Sequence, residues 1–249
     1  MTTGLETSWV TIPNGEVPLN AYLASPAGRG PFPAILVLQE VFGVNAHIRD
    51  VTEQVARLGY AALAPSLFQR TAPGFEVGYS DADLALGRHH KDQTQAAQLL
   101  GDLQAALDYL KTLPQVRPAG FGVMGFCFGG HVAYLAATLP DVIATASFYG
   151  AGIATFTPGG GSPTLTRTAA IHGRIWLFFG TQDPLIPPEQ VAQIEAELQR
   201  CQTDYRLFTY EAGHGFLCDQ RHSYRPAVAA EAWQAVQHLF QGTLGVAAV

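Results

Sequence analysis

Gly125-Phe126-Cys127-Phe128-Gly129-Gly130 decides how this chain is read. The stretch follows the apolar run Gly122–Gly125 and opens a second apolar segment, Gly129–Leu139, which ends at Pro140. A strand that enters a helix through such a sequence is a G-x-S-x-G nucleophile elbow with cysteine in place of serine. The glycines have a physical role. A sharp strand-to-helix turn forces its central residue into strained backbone angles and leaves no room for flanking side chains. The turn lifts the sulfur out at the C-terminal end of the strand. There it faces a helix N-terminus, whose dipole and free N–H groups favour a thiolate. Taken by itself, Cys127 fits equally well as a small buried apolar side chain.

Outward from the elbow, apolar runs alternate with amphipathic ones. Strands are expected at Ser8–Ile12, Leu19–Leu23, Ala34–Leu38, Tyr60–Ala64, Gly122–Gly125, Ala144–Tyr149, Ile175–Phe179 and Tyr205–Tyr210. The middle ones are apolar throughout, which suits parallel strands buried on both faces. Helices are expected at Asp50–Leu58, Gln93–Leu113, Gly129–Leu139, Pro188–Arg200 and Ala227–Phe240. In the second, Leu99, Leu103, Leu107 and Leu110 repeat at helical spacing. The alternation predicts an α/β domain over residues 1–249, with a mostly parallel sheet of about eight strands and helices on both faces. Pro13-Asn14-Gly15-Glu16 is a hairpin turn, so the sheet begins with an antiparallel edge. Two connections, 65–89 and 150–173, are longer than a connector needs. They are either lids over a site or solvated insertions.

Composition narrows the possible functions. Of 249 residues, 48% are hydrophobic and only 14% charged, which argues against disorder and coiled coils. With 14 Lys+Arg against 20 Asp+Glu, the net charge of −6 disfavours a nucleic-acid partner. No apolar run nears the roughly 20 residues of a membrane span. The N-terminus shows no secretory signal, so a cytoplasmic location is expected. Three scattered cysteines form neither a disulfide framework nor a CxxC pair. His89 and His90 are adjacent and would diverge on a helix, and Gly159-Gly160-Gly161 lacks the G-K-[ST] of a phosphate loop. No metal and no organic cofactor is expected.

Two further residues join Cys127. Asp183 stands in Gly180-Thr181-Gln182-Asp183-Pro184, just past one expected strand, and His214 in Ala212-Gly213-His214-Gly215, just past the next. Separately, each reads as an ordinary turn residue. Together they give the chain order nucleophile, acid, base, which is that of α/β-hydrolase triads, and a parallel sheet brings such strand ends to one edge. Glu40 stands just past the apolar run Ile35–Leu38 at the same edge, where a carboxylate pairs or loses solvation.

At these residues the chain resembles the dienelactone hydrolase family of α/β-hydrolases, from about Pro31 to Phe240. The resemblance rests on Leu38-Gln39-Glu40-Val41-Phe42-Gly43-Val44-Asn45, Gly59-Tyr60-Ala61-Ala62-Leu63-Ala64-Pro65, the cysteine elbow, Phe148-Tyr149-Gly150, Gln182-Asp183 and Gly213-His214. It implies Cys127 as catalytic thiol, His214 as base and Asp183 as acid. It also implies that Glu40 touches the resting thiol and helps deprotonate it, and that the backbone N–H groups of Val41 and Phe128 form the oxyanion hole. Phe42, Phe128, Phe148 and Tyr149 are expected pocket walls, with core packing as the alternative. Members acting on anionic lactones hold the substrate carboxylate with arginines. One of these sits four residues past the catalytic histidine, where this chain has Cys218. Arg88 is the nearest counterpart of the other, and Arg221 could substitute from a shifted loop.

The expected activity is hydrolysis of activated esters or enol-lactones, small-molecule substrates, through a thioester. A carboxylesterase or thioesterase with a non-anionic substrate is the alternative, and a non-catalytic binding module of the same fold is the third. Oligomeric state is left open by the sequence.

Overall fold

The computed structural model describes residues 4–245. Eight strands make one sheet: β1 (Leu5–Ile12), β2 (Leu19–Pro26), β3 (Ala34–Leu38), β4 (Ala61–Pro65), β5 (Phe121–Phe126), β6 (Val142–Phe148), β7 (Arg174–Gly180) and β8 (Tyr205–Tyr210). Their order across it is β1-β2-β4-β3-β5-β6-β7-β8. β1 and β2 pair antiparallel from Leu5↔Pro26 to Ile12↔Leu19, on either side of the Asn14-Gly15 turn. β2 is also antiparallel to β4, and every later pairing is parallel.

The uniformly apolar strands sit in the middle for a physical reason: both faces of the sheet are covered. In β3, Ile35 and Val37 enter one core and Leu36 and Leu38 the other. The first core takes Ile48, Val51 and Val55 of α1 (Ala46–Arg57) and Val236, Leu239 and Phe240 of α6 (Pro226–Leu244). The second takes Leu99, Leu103, Leu107 and Leu110 of α3 (Ala96–Thr112). Truncating one of these leucines to alanine removes about 2–5 kcal/mol of stability, since the close-packed surroundings collapse only partly. The helix α4 (Phe128–Ala136) follows β5 through the elbow and is buried along its whole length, and α5 (Pro188–Arg200) precedes β8.

Three stretches differ from expectation. The stretch 65–89, expected as a loop, contains most of a helix, α2 (Asp81–Asp92). A capping box starts it: the Asp83 amide donates to Ser80 Oγ at 3.2 Å, and the Ser80 amide donates to Asp83 Oδ2 at 3.1 Å. Its apolar periodicity is weak because Gly87 is the one residue it buries fully. The other long connection, 150–173, ends in a 3-10 segment, Thr164–Ala170. It is tied to α4 through His131, whose Nδ1 bonds the Ala151 carbonyl at 2.9 Å and whose Nε2 bonds Thr164 Oγ1 at 2.7 Å. The first expected helix begins four residues early, at Ala46, because Asn45 caps it by accepting from the Ile48 amide at 3.3 Å.

Candidate active site

Cys127 follows β5 and caps α4 with φ 54° and ψ −117°, left-handed backbone that a side-chain-bearing residue rarely adopts. The local sequence explains how this is possible. A Cβ on Gly125 would collide with the Gly129 carbonyl, and one on Gly129 with the carbonyls of Leu38 and Gln39. The strained turn is held by the Cys127 amide, which donates to the Phe148 carbonyl at 3.0 Å, and by the Cys127 carbonyl, which accepts from the His131 amide at 3.1 Å. The residue is half-buried and lines a cavity of about 510 Å³.

His214 lies past the end of β8 and lines the same cavity. Its Nδ1 is 2.7 Å from Asp183 Oδ2, and the other Asp183 oxygen accepts from the Leu185 amide at 2.8 Å. With the proton on Nδ1, Nε2 is free for the thiol, and it has no other hydrogen-bond partner among the described residues. Burial alone would make the ring less basic. The negative charge that the Cys127 sulfur carries once its proton has moved to the ring, together with the bond to Asp183, outweighs it, and the pKa is pushed up to about 10.

Glu40 is 1% exposed. Its Oε1 accepts from Arg221 Nη1 at 2.9 Å, and its Oε2 has no partner among the described residues. Arginine, then, holds the resting carboxylate, where the family resemblance implied a contact with the thiol. Gln39 fixes this corner, accepting from the Leu67 amide at 3.1 Å. The Arg221 guanidinium also lies over the Phe42 ring, 5.8 Å from its centroid, and lines the cavity. The amides of Val41 and Phe128 donate to no described residue, as a helix N-terminus and an elbow-facing loop allow.

Of the expected pocket residues, Phe42, Arg88 and Phe128 line the cavity. Phe148 and Tyr149 do not. Phe148 is stacked in the core between Phe126 and Phe178, with centroids at 5.2 and 4.3 Å, since its strand is buried on both faces. Tyr149 backs His214 edge-on at 5.2 Å, at φ 37°, and its hydroxyl has no partner among the described residues. Burial, then the charge of Glu40, holds that phenol neutral, well above its usual pKa. Cys218, at the position of the family arginine, is fully buried and away from the cavity lining.

The structure also supplies residues the sequence reading missed. Beside the expected Arg88, α2 adds Leu84 and Lys91 to one wall of the cavity, and Phe156 and Leu185 add apolar surface. Gly87 sets the position of α2, since a Cβ there would strike the Val41 carbonyl. The Ser80–Asp83 pair was the available signal for this helix. A second cavity, of about 580 Å³, lies beside Trp9, Arg49 and Glu76 and holds neither thiol nor imidazole among its lining residues. No described helix is long and apolar enough to cross a membrane.

Residues 19–244 match the sequence profile of the dienelactone hydrolase family. A Synechocystis protein provisionally named a carboxymethylenebutenolidase is 51% identical over 245 residues, covering 98% of this chain and all of its own length. A Bradyrhizobium protein provisionally named a 2-oxo-3-(5-oxofuran-2-ylidene)propanoate lactonase is 34% identical over 229 residues, or 90% of each chain. Among solved structures, a dienelactone hydrolase, so named provisionally, from Klebsiella pneumoniae superposes with a TM-score of 0.87 at 26% identity, covering 95% of this chain and 98% of its own. With this fold and these likenesses, the chain belongs to the dienelactone hydrolase family: it is an α/β-hydrolase-fold enzyme acting on carboxylic ester bonds.

Proposed function

We propose that Cys127, His214 and Asp183 hydrolyse an enol-lactone or similarly activated ester that carries a carboxylate, through a thioester on Cys127. The observation that carries this reading is the strained cysteine beside a histidine whose Nδ1 bonds Asp183 at 2.7 Å, all at one cavity that also presents Arg88 and Arg221.

The thiol proton passes to His214 Nε2, and the sulfur attacks the carbonyl carbon. The oxyanion is held by the Val41 and Phe128 amides, worth about 3 kcal/mol per donor in comparable sites. Collapse breaks the carbonyl–oxygen bond. His214 gives its proton to the departing enolate or alkoxide, and the acyl group stays on sulfur. Acylation removes the sulfur's negative charge, the largest influence holding His214 protonated. The ring, once neutral, can take a proton from water, and hydroxide attack releases the acid and restores the thiol. A thiolate leaves readily, so an adduct on an unactivated ester returns to reactants. This favours enolate leaving groups.

Arg221 replaces the arginine missing at Cys218. Its guanidinium pairs with Glu40 and faces the cavity, so an incoming carboxylate competes with Glu40 for it. Glu40, released, would stand with a bare oxygen near the thiol and assist its deprotonation. The names of the Synechocystis and Bradyrhizobium relatives point to the same substrate class.

The test is Cys127→Ala and Cys127→Ser with cis-dienelactone and p-nitrophenyl acetate. Loss of at least about a thousandfold in kcat/KM is expected for the alanine variant, a magnitude usual for removing a covalent nucleophile. Acetylated Cys127 should be recovered by mass spectrometry from the wild type quenched with acid. Full activity in Cys127→Ala would eliminate the thioester. Activity on p-nitrophenyl acetate alone, with cis-dienelactone left intact, would favour the neutral-ester reading.

A further inference from the structure

A second group of metal-capable side chains lies outside the cavity, between α1 and the loop after β8. His47, in the first turn of α1, Cys218 and Asp219 bring one donor atom each to within 4.8 Å of one another. The independent observation is His47 itself. It is 6% exposed, yet neither ring nitrogen makes a hydrogen bond among the described residues. Nε2 is buried without a partner, and Nδ1 faces Asp219 Oδ1 at 3.7 Å, beyond hydrogen-bonding reach. A buried imidazole normally satisfies at least one nitrogen.

The spacing suits an ion better than a direct contact. A tetrahedral centre with arms of about 2.0–2.3 Å separates its donors by about 3.3–3.8 Å. The His47–Asp219 distance already falls in that range, and a contraction of about 1 Å closes the whole set. Asp219 is mostly exposed and free to make the adjustment. A groove of about 230 Å³ lined by His47, Asp219 and Tyr224, with Asp50 also on its wall, gives the ion entry and room for water as fourth ligand on that side, while Cys218 is fully buried and not among its lining residues.

We infer that His47, Cys218 and Asp219 form a binding site for a borderline-soft divalent cation, Zn²⁺ above all. One thiolate and one carboxylate neutralise the dication, and the mixed sulfur, nitrogen and oxygen set is the chemistry zinc favours. Binding forms a metal–sulfur bond and sends the thiol proton to solvent, with no change of oxidation state. The ion would clamp the loop that carries both His214 and Arg221 against α1. The site is separate from the cavity and does not depend on the thioester reading.

The experiment uses the full chain with Cys127→Ala and Cys201→Ala, so that Cys218 is the one thiol left. Titration with Co²⁺ should produce a thiolate-to-cobalt charge-transfer band that saturates at roughly one equivalent, and Zn²⁺ should displace it. His47→Gln in that background should abolish the band while circular dichroism stays unchanged. Asp219→Asn, at an exposed position, should weaken Co²⁺ binding at least about tenfold, the usual loss on removing a ligand's support. No band in the parent, or an equal band in the His47→Gln protein, overturns the site.

Discussion

Glu40 is a tightly held charge: it is almost fully buried, and one oxygen depends on Arg221 alone. Arg221→Gln should raise KM for an anionic lactone at least about tenfold more than for p-nitrophenyl acetate, since one charge-assisted contact is worth about 1.5–3 kcal/mol. Steady-state kinetics on the two substrates read this out, and an equal effect on both would remove Arg221 from substrate recognition. His214 offers a second measurement. Without sulfur charge beside it, burial weighs more, so Cys127→Ala should lower the His214 pKa from about 10. Titration by NMR follows the shift, and an unchanged value would mean that Asp183 alone sets it. That Cys127, Asp183 and His214 would meet at one edge was legible in the sequence because each sits just past an apolar strand, where periodicity marks the sheet edge. Arg221 was legible only as a substitute from a shifted loop, because its direction depends on a run of tight turns, such as the Cys218 amide on the Gly215 carbonyl at 3.1 Å, that residue spacing does not encode.

At the level of elements, α2 is the wall that periodicity could not reveal. An exposed helix that buries one glycine has no apolar stripe to read, and its capping box was the sole local sign. The same sparse burial makes a prediction. Gly87→Val pushes α2 off the Val41 carbonyl and moves Leu84 and Arg88 in the cavity wall. kcat/KM should fall at least about tenfold while the melting temperature moves by no more than about 3 °C, because few core contacts are lost. Thermal denaturation beside kinetics separates the two effects. A large drop in melting temperature with unaltered kinetics would show that Gly87 serves stability instead. The sheet itself was easier to read than this helix, since apolar five- to eight-residue runs bounded by Gly and Pro leave few alternatives.

Across the whole molecule, acid sensitivity should trace to His131. Burial lowers its pKa to about 4, and its bonds to Ala151 and Thr164 suit the neutral ring. The unfolded chain titrates near 6.5, so it binds more protons between these values. The stabilisation is therefore complete above about pH 6.5 and is lost as pH falls through about 4, by roughly 3 kcal/mol. Urea unfolding from pH 7 to 4 should show this decline, and His131→Gln should flatten it. An unchanged slope would assign the acid sensitivity elsewhere. The parallel order of the later strands has a different result. Glu40 meets Arg221 across 181 residues of chain, and Asp183 meets His214 across 31. During synthesis the sulfur-bearing segment leaves the ribosome well before the imidazole that is to share its proton. Closing such long loops comes late in folding, so on the proposed mechanism a half-made chain carries a bare thiol with no hydrolytic partner, and its chemistry would switch on only when the final strand docks.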